Sequence, residues 1–140
     1  MTDIADAASP SAKILLVEDS LPNRDMLTRR LERQGFTVCC AIDGASSVAM
    51  SVSEKPDVIL MDVALGAMDG WEATRLIKAD PRTTNIPVIA LTAHALDADR
   101  ARSVEVGCSD FDTKPVDLNR LLGKIRGCLM NAGRGRAAAA

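Results

Sequence analysis

Five residues of this chain could do chemistry together: Glu18, Asp19, Asp62, Thr92 and Lys114. Three carboxylates crowded at one point repel, and each makes ionising the others harder. A hard divalent ion such as Mg²⁺ would relieve them, since it is held by one or two carboxylates, waters and phosphate oxygens. Lys114 offers a compact positive charge on a flexible stem, useful to a phosphate. Thr92 can donate a hydrogen bond to a phosphoryl oxygen. That leaves Asp62 as the group able to attack phosphorus and carry an acyl phosphate. Phosphoryl transfer needs mainly positioning and charge neutralisation, and this set provides both. Taken singly, each residue has a plainer reading as a loop residue, a turn or a helix cap. The case rests on their being brought to one place.

The elements that must do this are legible in the chain's rhythm. Five short apolar runs recur: "KILLV" (13–17), "TVCCA" (37–41), "DVILM" (57–61), "PVIAL" (87–91) and the weaker "SDFDT" (109–113). Each is followed by a helical stretch. The first, 22–34, opens on Pro22 and stops at Gly35, as first-turn proline and C-terminal glycine do. The second carries Ala45, Val48, Ala49 and Val52 at helical spacing, the third covers about 70–79, and the fourth, about 97–106, is capped by Gly107. The last has Leu118, Leu121, Leu122, Ile125 and Leu129 on one stripe. Five strand–helix alternations imply a parallel sheet covered on both faces. In such sheets ligands bind beyond the carboxyl ends of the strands. Glu18 and Asp19 follow the first run, Asp62 the third, Thr92 the fourth and Lys114 the fifth, so all five converge on one edge.

Bulk properties narrow the classes. The chain has 140 residues, 47% of them hydrophobic and 2% aromatic, which suits one domain with an aliphatic core. A net charge of -2 makes no case for nucleic acid or an anionic membrane as partner. No apolar run reaches the length of a membrane span, and "MTDIADAASPSAK" lacks the pattern of a signal peptide. A cytoplasmic location is expected, with Cys39, Cys40, Cys108 and Cys128 reduced. Their spacing and a single histidine argue against zinc. The expected organisation is a flexible lead-in over 1–11, one domain over 12–129 and a flexible tail over 130–140.

The stretches "LLVEDS", "LMDVALGAMDG", "IPVIALTAHA" and "GCSDFDTKPV" resemble, in order, the motifs of the response-regulator receiver family, over about 12–129. The resemblance implies an α/β flavodoxin-like doubly wound sheet of five parallel strands in the order 2-1-3-4-5. It implies that Asp62 is the phosphoacceptor, and that Glu18, Asp19, Asp62 and the backbone carbonyl of Ala64 surround Mg²⁺, Asp19 as a direct ligand. Thr92 becomes the switch hydroxyl, Lys114 the phosphate-facing lysine and Phe111 the aromatic switch residue that turns inward on phosphorylation. A cis bond between Lys114 and Pro115 is common in the family. The implied partners are a sensor histidine kinase or histidine phosphotransfer protein and a downstream protein target, with the chain a monomer or weak dimer acting as a stand-alone receiver, or else as a phosphate shuttle without switch output.

Three positions depart from the common pattern: Gly66 where a proline is usual, Glu18 as the first acid, and Phe111 without a hydroxyl. His94, two residues after Thr92, reads as a rim residue controlling access, and Trp71 as packing or partner contact. Two rival classes fare worse. An aspartate-nucleophile phosphatase wants an acid two residues after the nucleophile, where this chain has Ala64. A flavin carrier wants a phosphate-cradling loop after the first strand and aromatics for the ring; "EDSLPN" and a chain without tyrosine offer neither.

Overall fold

The computed structural model describes residues 12–65, 68–93 and 97–139, with Asp97 and residues 132–139 described as backbone only. Gly66, His94, the lead-in 1–11 and Ala140 therefore lie outside the described residues. Strands β1 (Lys13–Val17), β2 (Thr37–Ala41), β3 (Val58–Asp62), β4 (Val88–Thr92) and β5 (Asp110–Thr113) alternate with helices α1 (Leu21–Arg33), α2 (Gly44–Ser53), α3 (Gly70–Ala79), α4 (Asp97–Val106) and α5 (Leu118–Ala139). The strands form one sheet in the order β2-β1-β3-β4-β5, all neighbours parallel, as expected.

Because side chains alternate along a strand, each strand feeds two cores. Ile14, Leu16, Val58, Leu60, Ile89 and Leu91 pack with Leu27 and Leu31 of α1 and Leu121, Leu122 and Ile125 of α5. Leu15, Val17, Ile59, Met61 and Val88 pack on the other face with Ala73 and Ile77 of α3. The three central strands are thus buried on both sides, which is why their sequences read as unbroken apolar runs. A third cluster joins Trp71, Ala90, Val106 and Phe111. There the small Ala90 stands opposite Phe111 in register.

The helix stops follow the sequence expectation. Gly35 and Gly107 adopt φ of 96° and 97°, the left-handed conformation that glycine tolerates. Asp69 caps α3, its Oδ1 accepting the Glu72 amide at 2.8 Å. Two boundaries differ. Asp62 and Thr92 are the last residues of their strands rather than the first of their loops. The last helix does not stop where its apolar stripe does: it runs on to Ala139 through the stretch whose low complexity reads as a flexible tail. Alanine and arginine are strong helix formers, which favours continuing a helix already nucleated.

Candidate functional site

Asp62 is held on a rigid element. Its Cα is paired with Leu91 across the sheet, and the residue is 3% exposed. Oδ1 accepts the Ala64 amide at 2.9 Å and Oδ2 accepts Lys114 Nζ at 3.0 Å, so both oxygens are oriented. The start of α3 approaches closely from behind. The Gly70 amide donates to Val63 O at 3.1 Å, and a Cβ on Gly70 would strike the Asp62 carbonyl and Val63 Cα. A glycine is required at that point by space, not by backbone conformation.

Glu18 sits at the end of β1, 5% exposed, its amide bonded to Ala41 O at 3.1 Å. Its carboxylate accepts Lys114 Nζ at 2.9 Å and the Ser20 amide at 3.1 Å. Burial pushes the Glu18 carboxyl above its ordinary value, and the charge of Asp62 adds to that push. Hydrogen bonds from Lys114 and Ser20 pull it only part of the way back. Burial also works against the Lys114 ammonium, but the bonds and charges of Glu18 and Asp62 outweigh it and raise the lysine above its usual range. The Lys114 backbone is pinned as well, its amide donating to Thr92 O at 2.7 Å, and the Lys114–Pro115 bond is cis as expected. Thr92, 3% exposed, ends β4 and stands opposite Thr113 in register.

Ligand oxygens of Glu18, Asp19 and Asp62 all lie within 4.8 Å of one another, Asp19 being the exposed member. Three carboxylates face one ammonium, which leaves uncompensated negative charge, and the donors are all hard oxygens. This set fits Mg²⁺. Ala64 engages the site through its amide, on Asp62. An apolar cleft of about 390 Å³ opens alongside, lined by Met26, Leu27, Leu91, Pro115 and Val116 and reaching Glu18 and Lys114. Phe111 is 8% exposed and already inside the third cluster, with the Arg100 guanidinium 5.4 Å from its ring centre. A phenyl ring has no hydroxyl needing a partner, which suits this buried position.

The family model for the response regulator receiver domain matches residues 14–126. The chain belongs to the response regulator receiver family. This receiver is 40% identical over 118 residues to protein PilH of Pseudomonas aeruginosa, covering 84% of this chain and 98% of PilH. It is also 40% identical over 116 residues to the response regulator PleD of Caulobacter vibrioides, covering 83% of this chain but 26% of PleD, so it spans about a quarter of that protein's length. Among solved structures, the receiver domain of the sensor histidine kinase PA1611 of Pseudomonas aeruginosa superposes with TM-score 0.79 at 34% identity over 86% of this chain and 98% of that one; a magnesium ion is coordinated in its active-site cleft. The chemotaxis protein CheY4 of Vibrio cholerae superposes with TM-score 0.81 at 28% identity, over 86% of this chain and 100% of that one. As a receiver, the chain is a module of two-component signalling.

Sequence reasoning named the five polar residues that this edge assembles. It missed Gly70 as a packing requirement, for which the only signal was a glycine directly after a capping Asp. It also missed Asp112, buried at 4% exposure, and its partner Arg120; the signal was an acid inside the weakest of the five strand runs.

Proposed function

We propose that this receiver accepts a phosphoryl group on Asp62 from the phosphohistidine of a sensor kinase or phosphotransfer protein, and signals to a protein partner. The observation that carries the reading is the buried Asp62 carboxylate, oriented at Oδ1 by the Ala64 amide and at Oδ2 by Lys114, within 4.8 Å of two further carboxylates. In the step, a carboxylate oxygen of Asp62 forms a bond to phosphorus as the phosphorus–nitrogen bond of the donor breaks. The electron pair returns to the imidazole nitrogen, which takes up a proton. Lys114 stands where it can follow the phosphoryl oxygens, and the Thr92 hydroxyl can donate to one of them. Glu18, Asp19 and Asp62, with the Ala64 carbonyl, would hold Mg²⁺, which supplies charge neutralisation toward the phosphoryl group. The apolar cleft beside Lys114 gives the donor's histidine-bearing segment a place to rest.

The chain acts on this reading as a phosphoacceptor and not as a turnover enzyme. Ala64, exposed and without an ionisable group, cannot serve as general acid two residues after the nucleophile. A cytoplasmic monomer or weak dimer that does not bind nucleic acid fits the net charge of -2. Among the described residues, no helix is long and apolar enough to cross a membrane. A second reading, phosphate shuttling without a switch, is favoured by Phe111 being buried already.

The test is labelling with phosphoramidate in Mg²⁺, followed by partner capture. Wild type should label and Asp62→Asn should not, because its amide lacks the nucleophilic oxyanion; equal labelling of both would refute the acceptor assignment. Amide signals of residues about 92–118 should move on phosphorylation far more than those of 37–55, and Thr92→Ala should label while losing that shift. A shift that is absent in the labelled wild type decides for the shuttle.

A further inference from the structure

We infer that Asp112 and Arg120 form a clamp that positions Lys114 for phosphoryl transfer, an inference that rests on the role of Lys114 proposed above. Asp112 lies within β5, opposite the core residue Leu91, at a place where the alternation of the sheet calls for an apolar side chain. It is 4% exposed, and among the described residues its Oδ2 is buried with no hydrogen-bond partner. A buried carboxylate with one oxygen unsatisfied is a poor way to stabilise a strand. Conflicts of this kind between a residue and its surroundings concentrate at functional sites.

The other oxygen shows what the residue does. Asp112 Oδ1 accepts the Thr113 amide at 2.8 Å and Arg120 Nε at 2.7 Å. Arg120 also donates to the Thr113 carbonyl at 3.3 Å. One guanidinium therefore holds both the side chain two residues before Lys114 and the carbonyl of the peptide that leads into it. The far end of the span is fixed too: Asp117 Oδ1 accepts the Arg120 amide at 3.1 Å, and Asp117 O accepts the Leu121 amide at 2.9 Å. Residues 113–117 are thus tied at both ends by Arg120, and Lys114 Nζ emerges from this loop to reach Glu18 and Asp62. A lysine has a flexible stem, so the reach of its ammonium depends on where the backbone starts it. Lys124, one turn along α5, donates to Phe111 O at 2.6 Å and closes the next carbonyl of the same parity on β5. With it, α5 grips the end strand of the sheet along its length.

A pair kept for stability and a pair kept for position respond differently to replacement by apolar residues. Buried ion pairs replaced by hydrophobic side chains often leave stability unchanged or raise it, whereas a small misplacement of a reacting group can slow a reaction a hundredfold. The full chain carrying Asp112→Leu with Arg120→Leu should melt at or above the wild-type temperature, yet label on Asp62 with phosphoramidate and Mg²⁺ at least tenfold more slowly. In the absence of phosphodonor and metal, its Lys114 amide, bonded to Thr92 O, should exchange with deuterium at least tenfold faster, with the amides of β1 and β3 unchanged. Asp112→Asn keeps an acceptor oxygen for Thr113 and Arg120 and should stay within twofold of wild type in both readouts. Arg120→Lys cannot reproduce the forked contact and should slow labelling and speed Lys114 exchange as the double variant does. Wild-type labelling together with wild-type Lys114 exchange in the double variant would overturn the clamp. So would slow labelling accompanied by a lower melting temperature and faster exchange across all five strands, which marks an ordinary structural pair. Failure of the wild type to label on Asp62 would instead strike the acceptor reading, and the exchange measurement, which involves no phosphate, would still decide whether the clamp holds Lys114.

Discussion

Glu18 shows how one residue at this site is held against its own preference. Its carboxyl is raised by burial, with the Asp62 charge acting in the same direction, so the folded chain binds the Glu18 proton more tightly than the unfolded chain does. The stability this contributes is complete below the ordinary carboxylate range and is lost as pH rises through the raised pKa. Glu18→Gln cannot charge. In metal-free buffer we expect the variant to melt above wild type at neutral pH, with the gap closing as pH falls into the carboxylate range. Melting curves from pH 4 to 8 check this, and a gap that is constant across the range would show that Glu18 is not the group in tension. Gly70 makes the opposite case: its neighbours leave no room for a side chain, so packing alone sets its identity.

Among the elements, α4 is the least anchored. Of its described side chains only Ser103 and Val106 are buried, while Val104 is 76% exposed. Two arginines supply part of what apolar burial does not: Arg100 stands over Phe111 at 5.4 Å and Arg102 over Trp71 at 5.7 Å. At partly exposed sites such contacts contribute about 0.5–1 kcal/mol each. Arg100→Ala with Arg102→Ala should therefore speed amide exchange across 97–106 roughly five- to thirtyfold, a factor of ten corresponding to about 1.4 kcal/mol. The strands β1 and β3 should keep their protection. Uniform acceleration over the sheet would mean that α4 opens only with the whole fold. Helix α3 contrasts with α4, since Trp71, Ala73, Thr74 and Ile77 are all buried and its start is locked behind Asp62.

At the scale of the whole molecule, the acid cluster links folding to metal. Glu18, Asp19 and Asp62 come from the ends of two strands, so the set exists only in the folded chain. A ligand that binds only the folded state at ten times its dissociation constant stabilises by about 1.4 kcal/mol. For a domain of this size that corresponds to a rise of about 3–6 °C in melting temperature. Mg²⁺ should produce such a rise, and Asp19→Asn should remove most of it. An unchanged melting curve at millimolar Mg²⁺ would show that the cluster does not assemble a metal site.

Apolar periodicity and punctuation alone determined the five strand–helix units, their parallel sheet and the edge at which Glu18, Asp19, Asp62, Thr92 and Lys114 meet, because strands buried on both faces must be apolar throughout and whatever polar residue follows them stands out. The strand order followed from the resemblance rather than from those patterns. Tertiary structure decided what depends on neighbours distant in sequence. That Phe111 shares a buried cluster with Ala90 is a matter of register between β4 and β5. That Gly70 must be glycine follows from the approach of α3 to the backbone of β3. That Asp112 is a buried partner of Arg120 follows from α5 packing against the end of the sheet. A linear pattern records how each residue meets water or core on average; it does not record which two side chains the fold will set 2.7 Å apart.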